Sequence, residues 1–291
     1  MKYYGICPAS CGEFVQGIIN DEEYLSSYAI DKYSIVTLEE KIKDISIGPK
    51  KSRKAIEVVF KLFNLPIEES KNISLKINSD IPIGKGMASS TADIGATIMA
   101  TLQLIGENLS SEEISKLATK IEPTDSLYIE ENSIFNPLNG EVIKYLGKIR
   151  NAKVIVLEPK TTLNTEIIRK TPDYKNIKLG NKEIVSEAFY LLEEGIRQNN
   201  LYTIGKACTL SSLANENIHE KQGIRKIIEI SQKYGAYGVN VAHSGTIVGI
   251  LIDDYMNYFR LIDLLKQSNL HKFYSKMYTH KIIDTGIRIE L

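Results

Sequence analysis

The sequence predicts an α+β protein in two halves, and three observations carry that expectation. Short segments with apolar residues at every second position, the period of a half-buried strand, alternate with segments whose apolar residues recur at three- and four-residue steps, the stripe of an amphipathic helix. The 291-residue chain is 43% hydrophobic and 25% charged, ordinary for a globular protein with an ample core. Between the strand patterns at 142–146 and 152–157 stands Gly147-Lys148-Ile149-Arg150, which marks a boundary between units of 1–150 and 151–291.

In the first half, Tyr3 to Pro8 reads as a strand. Pro8 to Gly17 then allows two readings: strand, turn and strand with Glu13 exposed, or small residues admitting a ligand to which Glu13 and Gln16 offer polar contacts. Tyr28 to Ile30 and Ser34 to Leu38 read as strands, with Asp31-Lys32 near the turn between them. Lys50 to Phe63 is apolar at helical spacing and is ended by Pro66. Its basic start, with Lys50, Lys51, Arg53 and Lys54, reads as solvated, with phosphate contact as the alternative.

The most informative stretch is Asp80 to Asp93. The strand pattern Ile73–Asn78 runs into a loop holding Gly84 and Gly86, and a helix with Ile94, Ile98, Leu102 and Ile105 on one face opens near Ser89-Ser90. Glycines let backbone approach a ligand closely. A helix N-terminus offers unpaired N–H groups and a positive dipole end, so the combination suits an anion, phosphate above all. A glycine turn followed by a serine N-cap accounts for the same local pattern. Lys85 lies between the glycines, so the spacing is not that of a Walker A loop.

A capping signal at Ser110 to Glu113 starts the next helix, and Pro123 stops it, because proline disfavours helix at the residue before it. Glu122 and Asp125 thus stand three apart at a forced helix end, placed either to reach a cleft or to lie exposed. In the second half, a strand at 152–157, an antiparallel helix pair at 184–198 and 201–214, a helix at 223–233, a strand–turn–strand around Ser244-Gly245, a helix at 255–268 and a strand at 282–290 are expected. His243 in that turn is structural, exposed or ligand-facing.

Lys+Arg and Asp+Glu both number 36, so no basic excess points to nucleic acid. No run approaches the roughly 18 apolar residues that would span a bilayer, and the N-terminus lacks the apolar core of a signal peptide. Cys7, Cys11 and Cys208 read as small buried thiols, and the expected compartment is the cytoplasm.

Pro82-x-Gly84-x-Gly86-Met87-Ala88-Ser89-Ser90-Thr91-Ala92 resembles the phosphate-binding motif of the GHMP kinases, with Met87 for the family's leucine and Thr91 for its alanine. The segment Cys7 to Gly17 resembles the N-terminal signature of the family's L-threonine kinase branch. Glu122-Pro123-Thr124-Asp125 and Ala242-His243-Ser244-Gly245-Thr246 resemble that branch's later motifs. The resemblance implies a GHMP kinase fold, with an N-terminal lobe like ribosomal protein S5 domain 2 and a ferredoxin-like C-terminal α/β lobe. It implies ATP and Mg2+ as cofactors, with Pro82, Gly84, Lys85, Gly86, Met87, Ala88, Ser89 and Ser90 around the nucleotide. Ser90 and Glu122 would hold the metal, Asp125 would orient or deprotonate the acceptor hydroxyl, and Glu13, Gln16, His243 and Ser244 would face the substrate. The family's Gly-x-x-Asp loop is missing around Asp125. The implied reaction makes O-phospho-L-threonine for the nucleotide loop of adenosylcobalamin. A kinase of homoserine, sugar or isoprenoid alcohols, or a non-catalytic nucleotide- or metabolite-sensing relative, remains the alternative. The implied partners are small molecules, with neither nucleic acid nor membrane, and a homodimer is left open.

Overall fold

A computed structural model describes residues 1–40, 47–163, 173–284 and 286–289. Its spine is a pair of long antiparallel strands, β1 (Lys2–Ile19) and β2 (Glu22–Glu40). They pair from Lys2↔Glu39 to Ile19↔Glu22, with register shifts between Pro8 and Ala9, Ser10 and Glu13, and Glu13 and Val15. Two expectations are corrected here. Pro8 to Gly17 makes no turn, and Asp31-Lys32 is not a turn between strands. Pro8 faces Tyr33 while Ala9 faces Ile30, so Asp31 and Lys32 are extra residues within β2. Such irregularities bend a strand and re-aim side chains, and the first motif occupies the bent region.

On this spine are built α1 (Lys50–Leu62), β3 (Ile73–Ser79), α2 (Ser89–Ile105) and α3 (Ser111–Thr119). A hairpin of β4 (Asn132–Phe135) and β5 (Val142–Gly147) follows, its first strand unanticipated because it is only four residues long. The capping box at the start of α3 forms as expected: Glu113 N–H donates to Ser110 Oγ at 3.2 Å and Ser110 N–H to Glu113 Oε2 at 2.8 Å. The helix stops at Thr119, earlier than Pro123 requires, and Glu122 sits on a loose further turn whose amide reaches Ala118 O at 3.2 Å.

The second half comprises β6 (Ala152–Pro159), α4 (Tyr174–Gly180), α5 (Lys182–Arg197), α6 (Leu201–Asn215), α7 (Ile224–Lys233), β7 (Gly238–Val241), β8 (Val248–Asp253), α8 (Tyr258–Gln267) and β9 (Tyr274–Ile283). The last strand lies earlier than expected. Residues beyond Ile283 leave it and return as a bridge between Arg288 and Ile6, while Glu290 lies outside the described residues.

The strands pair in the order β1-β7-β8-β6-β9-β2-β4-β5, with β3 also on β2, and β1 pairs β2. The pairings therefore close on themselves through both halves. Val154 and Val156 of β6 enter one hydrophobic core, shared with β1, β2, α1, α2, α5 and α6. Ile155 and Leu157 enter a second, with α7 and α8. Burial on both faces is why this strand reads as an unbroken apolar run. No helix among the described residues is long and apolar enough to cross a membrane.

Candidate active site

The three motifs, far apart in sequence, stack at one place. The loop before α2 turns through positive φ at Gly84 (+69°), Gly86 (+86°) and Ala88 (+56°). Its carbonyls are taken by the flanking motifs: Gly86 O accepts from Gly12 N–H and Met87 O from Ser10 N–H, both at 3.2 Å, and Lys85 O accepts from Thr246 N–H at 2.8 Å. A Cβ on Gly86 would lie 2.2 Å from the Ala242 Cβ, and one on Gly12 2.7 Å from Ala242 N. Only glycine permits both these dihedrals and this approach. The residue before α2 is Ala88, in the left-handed region and without a side-chain cap, so the serine N-cap alternative is not what forms. Ser89 and Ser90 instead occupy the first turn, where helix amides point outward.

At that helix start Ser90 Oγ donates to Glu122 Oε1, and Lys51 of α1 pairs with Glu122 Oε2. Asp125 stands beside them, half-buried, accepting from Ser27 Oγ at 3.2 Å and, at the long limit, from Thr91 Oγ1 at 3.5 Å. Its position is fixed by neighbours: Ser27 N–H donates to Ser126 Oγ at 3.1 Å, and Tyr128 OH donates to Thr91 O at 2.8 Å. Burial, then the charge of Glu13, push the Asp125 carboxyl up to about 7, with Glu122 adding and the two hydroxyls opposing. Asp93 of α2 accepts from Ser34 Oγ at 2.5 Å and is also raised, by burial and then by Glu122. From the sequence alone no site role is assigned to Ser27, to Thr91 and Asp93 at the end of the glycine-loop stretch, or to the pairing of Lys51 with Glu122. They are polar residues in ordinary strand and helix patterns, joined only by the fold.

Glu13 and His243 meet. Glu13 Oε2 accepts from the backbone N–H of His243 at 3.0 Å and from its Nδ1 at 2.9 Å. Ser211 Oγ of α6 accepts from Gln16 N–H at 3.1 Å, which leaves its proton for His243 Nε2 at 3.0 Å. Burial keeps the imidazole pKa below its ordinary value in spite of Glu13, and a proton on Nδ1 facing Glu13 with Nε2 accepting from Ser211 satisfies both contacts. Gln16 and His243 also line a narrow pocket with Lys178, Asn181 and Asn215. Ser244 is half-buried on the turn beside Gly245.

Lys85 points away from the loop's open side. Its ammonium donates to the carbonyls of Pro159 (2.6 Å), Lys160 (3.0 Å) and Thr161 (2.7 Å). Pro82 is half-buried and Met87 fully buried beneath the loop.

Among the described residues no cluster of three or more His, Cys, Asp or Glu side chains is arranged to hold a metal ion alone. The oxygen donors Ser90 Oγ and Glu122, already in contact at a helix start, suit a hard cation that takes its remaining ligands from phosphate and water, which is how Mg2+ is usually held.

Comparison with known proteins identifies the family. Residues 51–127 match the GHMP kinases N terminal domain and residues 192–258 the GHMP kinases C terminal domain. The chain is 32% identical to an L-threonine kinase of Salmonella typhimurium, over 98% of this chain and 94% of that protein. It is 30% identical to an L-threonine kinase of Citrobacter freundii, over 98% of each. A homoserine kinase structure from Cytophaga hutchinsonii superposes with a TM-score of 0.76 at 16% identity, covering 99% of this chain and 97% of that one, which speaks for the fold alone. On these matches, and with the Gly84–Ala88 loop, the Glu122–Asp125 segment and the His243 turn converging as described, the chain belongs to the GHMP kinases and is an ATP-dependent kinase.

Proposed function

We propose that this kinase transfers the γ-phosphoryl group of magnesium-bound ATP to the side-chain hydroxyl of L-threonine, giving O-phospho-L-threonine. The observation that carries the substrate is the near full-length similarity to two curated L-threonine kinases. On the resemblance of the first motif, we assign the product to the nucleotide loop of adenosylcobalamin.

In this reading the amides from Gly86 to Ser90 cradle the phosphates. Ser90 and Glu122 hold the magnesium ion, which neutralises charge on the phosphate oxygens. Asp125 takes or orients the hydroxyl proton, and a carboxyl near pH 7 is well matched to that task at neutral pH. Glu13 brings a second negative charge close enough to raise Asp125. An amino-acid substrate supplies an ammonium group that offsets the repulsion. Gln16 and His243, which line the narrow pocket, would face the substrate together with Ser244. Phosphoryl transfer asks little covalent chemistry of the protein, so holding the hydroxyl in line with the γ-phosphate contributes most of the rate.

The test is ADP release measured over a panel of alcohols: L-threonine, L-serine, L-homoserine, galactose and mevalonate. Threonine should have the highest kcat/KM, by about tenfold or more over homoserine. Phosphorylation of homoserine with threonine inert would overturn the substrate. Binding of ATP without turnover on any alcohol would favour a sensing relative.

A further inference from the structure

We propose that Lys51, on α1, is the cation that meets the terminal phosphate of the nucleotide. This rests on the triphosphate lying along the loop from Gly84 to Ser90, as proposed above. Asp93, Glu122 and Asp125 gather at the start of α2, and the charge of Glu122 is felt by both of the others. Into this acidic group Lys51 sends its ammonium, pairing with one oxygen of Glu122 while Ser90 donates to the other.

Four other basic side chains among the described residues of the first half have partners of their own. Lys85 is held by three carbonyls, Arg53 donates to Ile73 O and Ser70 O, Lys54 pairs with Glu57 and Lys32 with Asp80. The first motif, from Pro8 to Gly17, contains no lysine or arginine. Lys51 is about half exposed, at 46%, on a flexible four-carbon stem. An ion pair of that exposure contributes little to stability and exchanges partners readily. Once Glu122 engages the metal–nucleotide complex, Lys51 is released to meet the γ-phosphate, whose equatorial oxygens carry the charge of the transition state.

Calorimetric titration of MgATP and MgADP into the wild type, Lys51→Met and Lys51→Arg tests this. Lys51→Met should weaken MgATP by about 10- to 100-fold, the loss of one charge-assisted contact, and MgADP by no more than about threefold. Lys51→Arg should recover most of the MgATP affinity, and the Met variant should melt with the wild type. Equal loss for both nucleotides, or no loss for MgATP, would overturn the assignment. Loop placement is checked separately by Gly86→Val, which should abolish binding of both nucleotides. Normal binding by that variant would mean the triphosphate lies elsewhere, and the Lys51 proposal would fall with it.

Discussion

In the proposed function the chemistry converges on one side chain, Asp125. Held between Ser27 and Thr91 and facing Glu13 and Glu122, it keeps its proton in the free protein to about pH 7. Its folded value lies above the ordinary carboxylate value, so folding favours the protonated form. The sign follows: between about pH 4 and 7 the folded state binds the extra proton, and stability falls as pH rises through that window. Asp125→Asn should therefore stabilise the metal-free protein at pH 8 by about 1–2 kcal/mol, on the order of 3–6 °C in Tm, and by much less at pH 4. The same variant should lower kcat at least 100-fold and flatten the acid limb of the kcat/KM profile near pH 7. Calorimetry and steady-state kinetics across pH check both. At this scale the sequence was informative where a residue is out of keeping with its local pattern. Glu122 and Asp125 stood out because Pro123 between them signals a helix boundary, although the helix itself ends at Thr119, and Glu13 because a charge sits among small apolar residues. Ser27 did not, and Lys51 stood out only as part of a basic helix start with phosphate contact as an alternative, since their partners lie 98 and 71 residues away.

The decisive element is the loop from Gly84 to Ala88, and Lys85 anchors it from beneath. Burial depresses the ammonium's pKa, and Glu158 partly restores it. Replacing Lys85 with Met would leave the carbonyls of Pro159, Lys160 and Thr161 without this donor. We expect Lys85→Met to cost about 2–3 kcal/mol in urea unfolding and to raise the KM for ATP as the loop loosens. A variant with wild-type stability would show that the anchor is dispensable. Helices were legible because their stripes are regular, as in α2 and the α5–α6 pair. The long strands were not. Bulges at Pro8 to Val15 interrupt the period-two pattern, and the two extra residues Asp31 and Lys32 imitate a turn.

For the whole molecule, the closed path of strand pairing matters more than the apparent division near residue 150. Glu13 pairs with Val241, Ala29 with Ile283, and one hydrophobic core draws residues from both halves. Fragments 1–150 and 151–291 should each fail to unfold cooperatively when made alone, by circular dichroism on heating, and should regain a cooperative transition when mixed. Cooperative melting of 1–150 by itself would contradict this. The two halves were visible in the sequence as a change of pattern. Their interlocking was not, because it depends on pairing between β2 and β9, segments about 250 residues apart.

The central claim is that the triphosphate sits on the start of α2, with its metal between Ser90 and Glu122 and the acceptor hydroxyl at Asp125. Diffraction from crystals grown with Mg2+, a non-hydrolysable ATP analogue and L-threonine tests it most directly. The account predicts β- and γ-phosphate density within hydrogen-bonding reach of the amides from Gly86 to Ser90, metal density at Glu122, and the threonine hydroxyl beside Asp125. Nucleotide bound elsewhere, with this loop and Glu122 unchanged, would contradict it.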